Sequence, residues 1–268
     1  NETDEILRQA KEFNPDLVAM TATDFEYEII EGIAGYLRAH LGAFFLLGGK
    51  SAILGKDLVK SNFDAFCIGE AEIPFTQLLE SIEVNKKQGI YHDTISIKSM
   101  WFKESNGSII KNPLGEIIQD LDSLPFMDFE LFDTPKIIEG KKGWIQLQFT
   151  RGCPYNCTYC FVTADKYTMF DKSKGDGRYG MEKYLRKHSV RYAMDFLESL
   201  CKTYGDYIKV FNLDDELPVI YRAWWLDFCR QFRKRIFDKY GKRFVCNGRI
   251  DVMDEEIIKV MAESGCLE

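Results

Sequence analysis

The chain has 268 residues, enough for one or two domains with a buried core, and its 46% hydrophobic and 29% charged residues are ordinary for a globular protein. Its net charge of -7 argues against a general nucleic-acid binder, because polyanion binding leans on a basic surface. The longest apolar run, Leu41 to Leu47, is strand-sized and too short for a membrane span, there is no signal-peptide pattern, and eight cysteines without a disulfide-scaffold spacing fit a reducing cytoplasm.

Residues 16 to 84 alternate short apolar runs with helical patterns. Strands are predicted at Leu17 to Met20, Ala43 to Leu47 and Ala65 to Ile68, and helices at Tyr27 to Leu41, Ala52 to Lys60 and Ile73 to Val84. This βαβ rhythm predicts a Rossmann-like, doubly wound parallel sheet. Ligands of such sheets sit beyond the carboxyl ends of the strands, which points to Thr21 to Thr23, Gly48-Gly49 and Gly69-Glu70. Residues 94 to 110 read as a hairpin turning at Ser105-Asn106-Gly107. A first domain is therefore expected over 1–111, followed by a Pro-punctuated linker over 112–143.

The rhythm resumes over 144–268. Ile145 to Thr150, Tyr207 to Leu213 and Phe244 to Asn247 read as strands; Val190 to Tyr204, Val219 to Phe237 and Asp254 to Ser264 read as helices. Three βα units of this kind suit the first part of a (β/α) barrel, with functional groups after each strand. The basic run Arg230 to Arg243 reads as the solvated face of an amphipathic helix.

Cys153, Cys157 and Cys160 stand after the first strand of this half, three and then two residues apart. Three thiolates on one short loop can hold three irons of a 4Fe-4S cube and leave the fourth iron open to a non-protein ligand. The competing readings are a zinc site, which normally takes a fourth protein ligand, and a redox thiol cluster; the nearest other cysteines are Cys67 and Cys201. Cys67, Cys201, Cys229, Cys246 and Cys266 lie in apolar patterns and are expected in the core.

The triad, with the aromatic Tyr159 before its last cysteine, resembles the signature loop of radical S-adenosylmethionine enzymes. Nearly the whole chain resembles the cobalamin-binding branch of that family. Thr21-Ala22-Thr23 matches the branch's Ser-x-Leu motif with a departure at Thr23, Gly48-Gly49 matches its Gly-Gly motif, and Gly69-Glu70-Ala71-Glu72 its Gly-Glu-x-Glu turn. Phe211-Asn212-Leu213-Asp214-Asp215-Glu216 resembles the acidic strand end that contacts S-adenosylmethionine, with a helix N-cap cluster as the structural alternative. Arg249, after the third strand, resembles a carboxylate or ribose partner and equally suits a salt bridge to Asp251 or Asp254. Met261 to Cys266 resembles the lead into a fourth strand. No Asp-x-His-x-x-Gly is present, and His40, His92 and His188 read as surface or packing residues.

The resemblance implies a Rossmann-like cobalamin domain followed by the first half of a radical S-adenosylmethionine barrel. Many domains of this branch ligate cobalt through the histidine of Asp-x-His-x-x-Gly; because no histidine precedes the strand at Leu17 here, cobalamin is expected to bind base-off with no protein imidazole on cobalt. The implied cofactors are a 4Fe-4S cluster on Cys153, Cys157 and Cys160, S-adenosylmethionine near Tyr159, Asp214, Asp215 and Arg249, and cobalamin near Thr21, Thr23, Gly48, Gly49, Gly69 and Glu70. The implied activity is methyl transfer to an unactivated carbon of a small-molecule substrate lying between the domains. Its electrons would come from a donor such as flavodoxin or ferredoxin. Ring closure or rearrangement, and a non-catalytic iron-sulfur carrier, are the alternatives. Half a barrel leaves a strand edge and helix faces without partners, so these 268 residues alone are expected to associate.

Overall fold

Leu17–Thr21 (β1) and Phe44–Gly48 (β2) pair in parallel, Leu17 opposite Phe44 through to Thr21 opposite Gly48. They open the computed structural model, which describes residues 2–49, 56–88, 96–163, 166 and 181–267. Phe45, Leu46 and Leu47 of β2 are all buried, the unbroken apolar run expected of a strand covered on both faces. Ala65–Cys67 (β3) adds to β2, again parallel. The hairpin strands Met100–Lys103 (β4) and Ile109–Lys111 (β5) complete the sheet antiparallel, in the order β1-β2-β3-β4-β5.

The parallel core is as predicted, but the sheet is mixed. Its described strands run in sequence order without the reversal that doubly wound sheets show. The helix Tyr27–Arg38 crosses from β1 to β2, and Glu72–Gln88 follows β3. The predicted helix Ala52 to Lys60 lies partly outside the described residues, and its described part, 56 to 60, is not helical: 56 and 57 are irregular and 58 to 60 form a turn. The chain after it is fastened by side chains of other elements: Glu31 accepts from the Asn62 backbone N–H at 2.9 Å, and Lys103 Nζ donates to the Ser61 carbonyl at 2.8 Å.

The chain divides into two units between Ile117 and Ile118. The stretch expected as a linker, 112–143, thus contributes to both. It carries two 3-10 turns, Leu121–Ser123 and Phe129–Leu131, and the helix Thr134–Gly140, each begun by an aspartate accepting from a backbone N–H.

In the second unit Trp144–Leu147 (β6) leads to Thr150–Arg151 (β7), which pairs antiparallel with Arg186–Lys187 (β8). Val210–Leu213 (β9) lies between β6 and Arg243–Cys246 (β10), all three parallel. Helices Val190–Tyr204, Arg222–Phe232 and Glu255–Glu263 follow β8, β9 and β10. Ser189 caps the first of these by accepting from Tyr192 N–H at 3.0 Å, and Asp254 caps the last by accepting from Ile257 N–H at 2.9 Å. Phe211, Phe228, Phe232, Phe244 and Trp225 meet in the core, each contributing about 2–3 kcal/mol through area removed from water. Beyond the Glu255–Glu263 helix, Leu267 N–H reaches the Phe244 carbonyl at 2.9 Å, so the chain past Cys266 begins to add beside β10.

The basic run is indeed a solvated, paired face. Arg235 bonds Asp195 at 2.6 Å and Glu198 at 3.1 Å, and Arg230 bonds Glu256 at 3.2 Å. Among the described residues no helix is long and apolar enough to cross a membrane.

Candidate functional site

The cysteine loop starts where β7 ends. Gly152 has φ +92, and a side chain there would place Cβ 2.6 Å from the Tyr184 carbonyl oxygen, so only glycine lets the chain turn beside the end of the short helix Met181–Tyr184 that leads into β8. The β7–β8 ladder, Thr150 opposite Lys187 and Arg151 opposite Arg186, clamps both ends of the segment bearing the cysteines. Cys153, Cys157 and Cys160 are free thiols, all partly exposed. Within the loop Cys160 N–H donates to the Cys157 carbonyl at 3.0 Å, and Thr163 Oγ1 donates to the same oxygen at 3.1 Å. Burial pushes the Cys153 thiol up, against the N–H of Tyr155 that favours its thiolate. Tyr159 is 89% exposed, an aromatic face without cover on this unit.

The remaining cysteines behave differently. Cys67, Cys201 and Cys229 are buried, and burial pushes Cys67 up to about 12 and Cys201 up to about 11, so neither offers a thiolate at neutral pH. Cys246 and Cys266 are half-buried and pack against the core.

Because β6, β9 and β10 are parallel, the segments leaving their carboxyl ends gather at one edge. Asp215, just past β9, is buried, and its Oδ1 accepts from Phe149 N–H at 2.9 Å, from Thr150 N–H at 2.5 Å and from Thr150 Oγ1 at 2.6 Å. Burial pushes its carboxyl up to about 6, opposed by those three donors, all of which suit the ionised form. Asn247 Nδ2, past β10, donates to the Asp215 carbonyl at 3.1 Å, and Gln148 Nε2 donates to Glu216 at 3.1 Å. The acidic triplet is therefore divided: Asp215 turns inward onto the strand that feeds the loop, Glu216 pairs across to Gln148, and Asp214 stays exposed.

Arg249 takes the salt bridge to Asp251, Nε and Nη2 each at 2.9 Å, while Asp254 pairs with Arg222. Its Cζ stands 3.9 Å from the Tyr155 ring centre, and Nη1 lies 3.5 Å from Cys157 Sγ. Lys166, a residue no spacing singled out, is buried. Its Nζ donates to the carbonyls of Pro154 at 3.2 Å and Tyr155 at 2.9 Å and to the Asn156 side chain. Among the described residues no three His, Cys, Asp or Glu side chains stand where they could hold a single metal ion.

The first unit has its own strand-end edge. Thr21 and Gly48 are register partners, and Ala22 N–H bonds the Gly48 carbonyl at 3.4 Å. Gly49, φ +84, lies so close to this turn that a Cβ would stand 2.5 Å from Thr21 Oγ1 and 2.8 Å from the Ala22 carbonyl. Its glycine is demanded by the chain itself. Gly48 differs: among the described residues a Cβ there would meet only the Met20 carbonyl, at 3.9 Å, which leaves its face open to a close ligand. Gly69, φ +89, turns the chain after β3 ahead of Glu70. Thr23 has a structural partner, since Glu26 accepts from its N–H at 3.0 Å and from its Oγ1 at 2.7 Å. These bonds close the turn that leads into Tyr27–Arg38, whose N-cap is Glu26.

Of the histidines, His40 bonds the Tyr36 carbonyl through Nδ1 at 2.8 Å, and His188 lies 3.2 Å from Asp122 and stacks on Tyr192. His92 lies outside the described residues.

No family model matches the chain. An uncharacterised methyltransferase of Pyrococcus horikoshii is 24% identical over 268 residues, covering 98% of this chain and 52% of the relative. The cytidylyl-2-hydroxyethylphosphonate methyltransferase of Streptomyces wedmorensis is 23% identical, covering 99% of this chain and 51% of its own. An anaerobic magnesium-protoporphyrin IX monomethyl ester cyclase of Synechocystis is 26% identical over 200 residues, 74% of this chain and 34% of the cyclase. The chain thus spans about half the length, or less, of these relatives. Among solved structures, the radical S-adenosylmethionine methyltransferase TsrM from Kitasatospora setae, bound to tryptophan and an S-adenosylmethionine analogue, superposes with TM-score 0.75 at 16% identity, over 99% of this chain and 50% of TsrM. OxsB, a cobalamin-dependent S-adenosylmethionine radical enzyme with aqua-cobalamin and S-adenosylmethionine bound, superposes with TM-score 0.72 at 17% identity, over 98% and 36%. The chain resembles cobalamin-dependent radical S-adenosylmethionine enzymes, and it shares their mixed α/β fold with parallel strands.

Proposed function

We propose that this chain carries the cofactor-binding part of a cobalamin-dependent radical S-adenosylmethionine methyltransferase. The observation that carries the reading is the cysteine loop: three partly exposed thiols beyond the parallel strand β6 and the short β7, on a loop whose base is fastened by β8 and by Asp215. Three thiols on one loop suit a cluster, in which each sulfur takes its own iron, whereas a structural zinc ion normally takes four protein ligands. When bound, the cluster supplies the electron that cleaves S-adenosylmethionine and cobalamin supplies the methyl group.

The chain's residues position these groups. Cys153, Cys157 and Cys160 hold the cluster. Tyr159 offers an uncovered ring beside the last ligand, and exposed Asp214 can accept from an ammonium or ribose hydroxyl. Asp215 acts through Thr150, keeping the loop's entry fixed while its own carboxylate is occupied. In the first unit, Rossmann-like in its parallel core, Gly48 presents an open backbone face for the cobalamin tail. Thr21, Gly49 and Gly69 shape that edge, with Glu70 following and Thr23 fixing the adjoining helix. The second unit supplies the opening strands of a barrel.

The substrate is a small molecule, and a low-potential carrier such as flavodoxin or ferredoxin supplies the electrons. Ring closure is the second reading, favoured by the likeness to the Synechocystis cyclase. Anaerobic reconstitution tests the cofactor assignment. About four irons and four sulfides per chain with stoichiometric cobalamin are expected; stoichiometric zinc without visible absorbance would refute it.

A further inference from the structure

Arg249 reaches a cluster ligand directly. Its Nη1 lies 3.5 Å from Cys157 Sγ, and two restraints aim it there. On one side the Asp251 carboxylate accepts from both Nε and Nη2 at 2.9 Å, a fork-to-fork pair that fixes the guanidinium plane. On the other side the Tyr155 ring lies 3.9 Å from Cζ. Tyr155 is itself held, since it packs on the core and its carbonyl accepts from Lys166 at 2.9 Å. The Arg249–Asp251 pair is part exposed and contributes little to stability, so its consequence is orientation. The three thiols are also treated unequally: a charged donor stands at Cys157, whereas Cys153 has the neutral Tyr155 N–H.

We propose that Arg249 is a tuning residue that donates to the Cys157 thiolate and raises the reduction potential of the cluster bound there, with Asp251 and Tyr155 as its positioning residues. The inference rests on the reading of the triad as iron-sulfur ligands. Reduction brings one electron from the external donor and adds one negative charge to the cluster. A fixed cation with an N–H on one ligating sulfur stabilises that added charge, and hydrogen bonds to the sulfurs are among the groups that set cluster potentials. Arginine serves better than lysine because it stays protonated and its planar fork can hold Asp251 with one edge while Nη1 faces the sulfur.

The test is a redox titration with dithionite, followed by electron paramagnetic resonance, on anaerobically reconstituted wild type, R249M, R249K and D251N, with iron and sulfide counted first. R249M should keep its iron and shift the midpoint to a more negative value, R249K should lie between it and wild type, and D251N should shift the same way by a smaller amount because the guanidinium remains without its aim. If R249M loses the cluster, D251N decides. A midpoint equal to wild type in every variant that holds a full cluster overturns the inference and leaves the cluster assignment standing. Wild type that takes up no iron and sulfide overturns both.

Discussion

Asp215 Oδ1 accepts from both the backbone N–H and the hydroxyl of Thr150, at 2.5 and 2.6 Å, joining the end of β9 to the strand that enters the cysteine loop. Its carboxyl is pushed up to about 6 by burial, above the ordinary carboxylate value near 3.9. Above pH 6 the folded protein therefore holds an anion at a cost. As pH falls from about 6 toward 4 the folded state takes up a proton before the unfolded state does, and this site gains stability. The stability of wild type relative to D215N should rise across that window, by up to about 3 kcal/mol for a two-unit shift. Denaturant melts of both proteins between pH 4 and 7.5 measure it; a constant difference would show that the three donors hold the carboxyl at its ordinary value.

Gly152→Ala places Cβ against the Tyr184 carbonyl at a φ of +92. The expected result is a destabilisation of about 1–3 kcal/mol and poor cluster retention, because the turn that starts the loop must open. Thermal melts and iron counts read the two effects.

Lys166→Met removes the buried ammonium that gathers Pro154, Tyr155 and Asn156 while keeping most of the side-chain volume. The carbonyls left behind lose a charged donor, at about 1–3 kcal/mol. The loop between Cys153 and Cys157 should loosen, and iron should leave faster on exposure to a chelator than from wild type. Equal release rates would mean that the ligands alone hold the loop.

Thr23 and Gly48 can be separated. Thr23→Val loses the hydroxyl bond to Glu26 and should cost about 1 kcal/mol in stability, leaving cobalamin affinity within about twofold. Gly48→Val adds bulk to an open face and should weaken cobalamin binding at least tenfold with a smaller effect on melting. Titration of each variant with cobalamin, followed by absorbance, distinguishes the two roles; the reverse pattern would exchange them.

The features legible in the sequence are those whose physics is local. Cysteine spacing, the Val190 to Tyr204 helix, and the apolar runs of β2 and β9 each need only neighbouring residues to be recognised. The family resemblance, in turn, rested on short motifs at strand ends, and the shared fold agrees with it. What escaped depends on contacts across the chain. Nothing near residue 100 says that β4 pairs antiparallel with β3, or that the chain after the turn at 58 to 60 is held by Glu31 and Lys103. Asp215 and Asp214 are adjacent in sequence, yet one is buried and the other exposed. Lys166 carried no signal, since its acceptors lie ten or more residues upstream and all but one are backbone carbonyls.

The central claim is that Cys153, Cys157 and Cys160 serve S-adenosylmethionine cleavage, and the most direct measurement is 5'-deoxyadenosine formed by the anaerobically reconstituted protein with dithionite and S-adenosylmethionine. 5'-Deoxyadenosine is expected from wild type and from C201A, and none above background from C153A, C157A or C160A. Wild type that holds a full cluster and forms no 5'-deoxyadenosine, or a C157A variant as active as wild type, would contradict it.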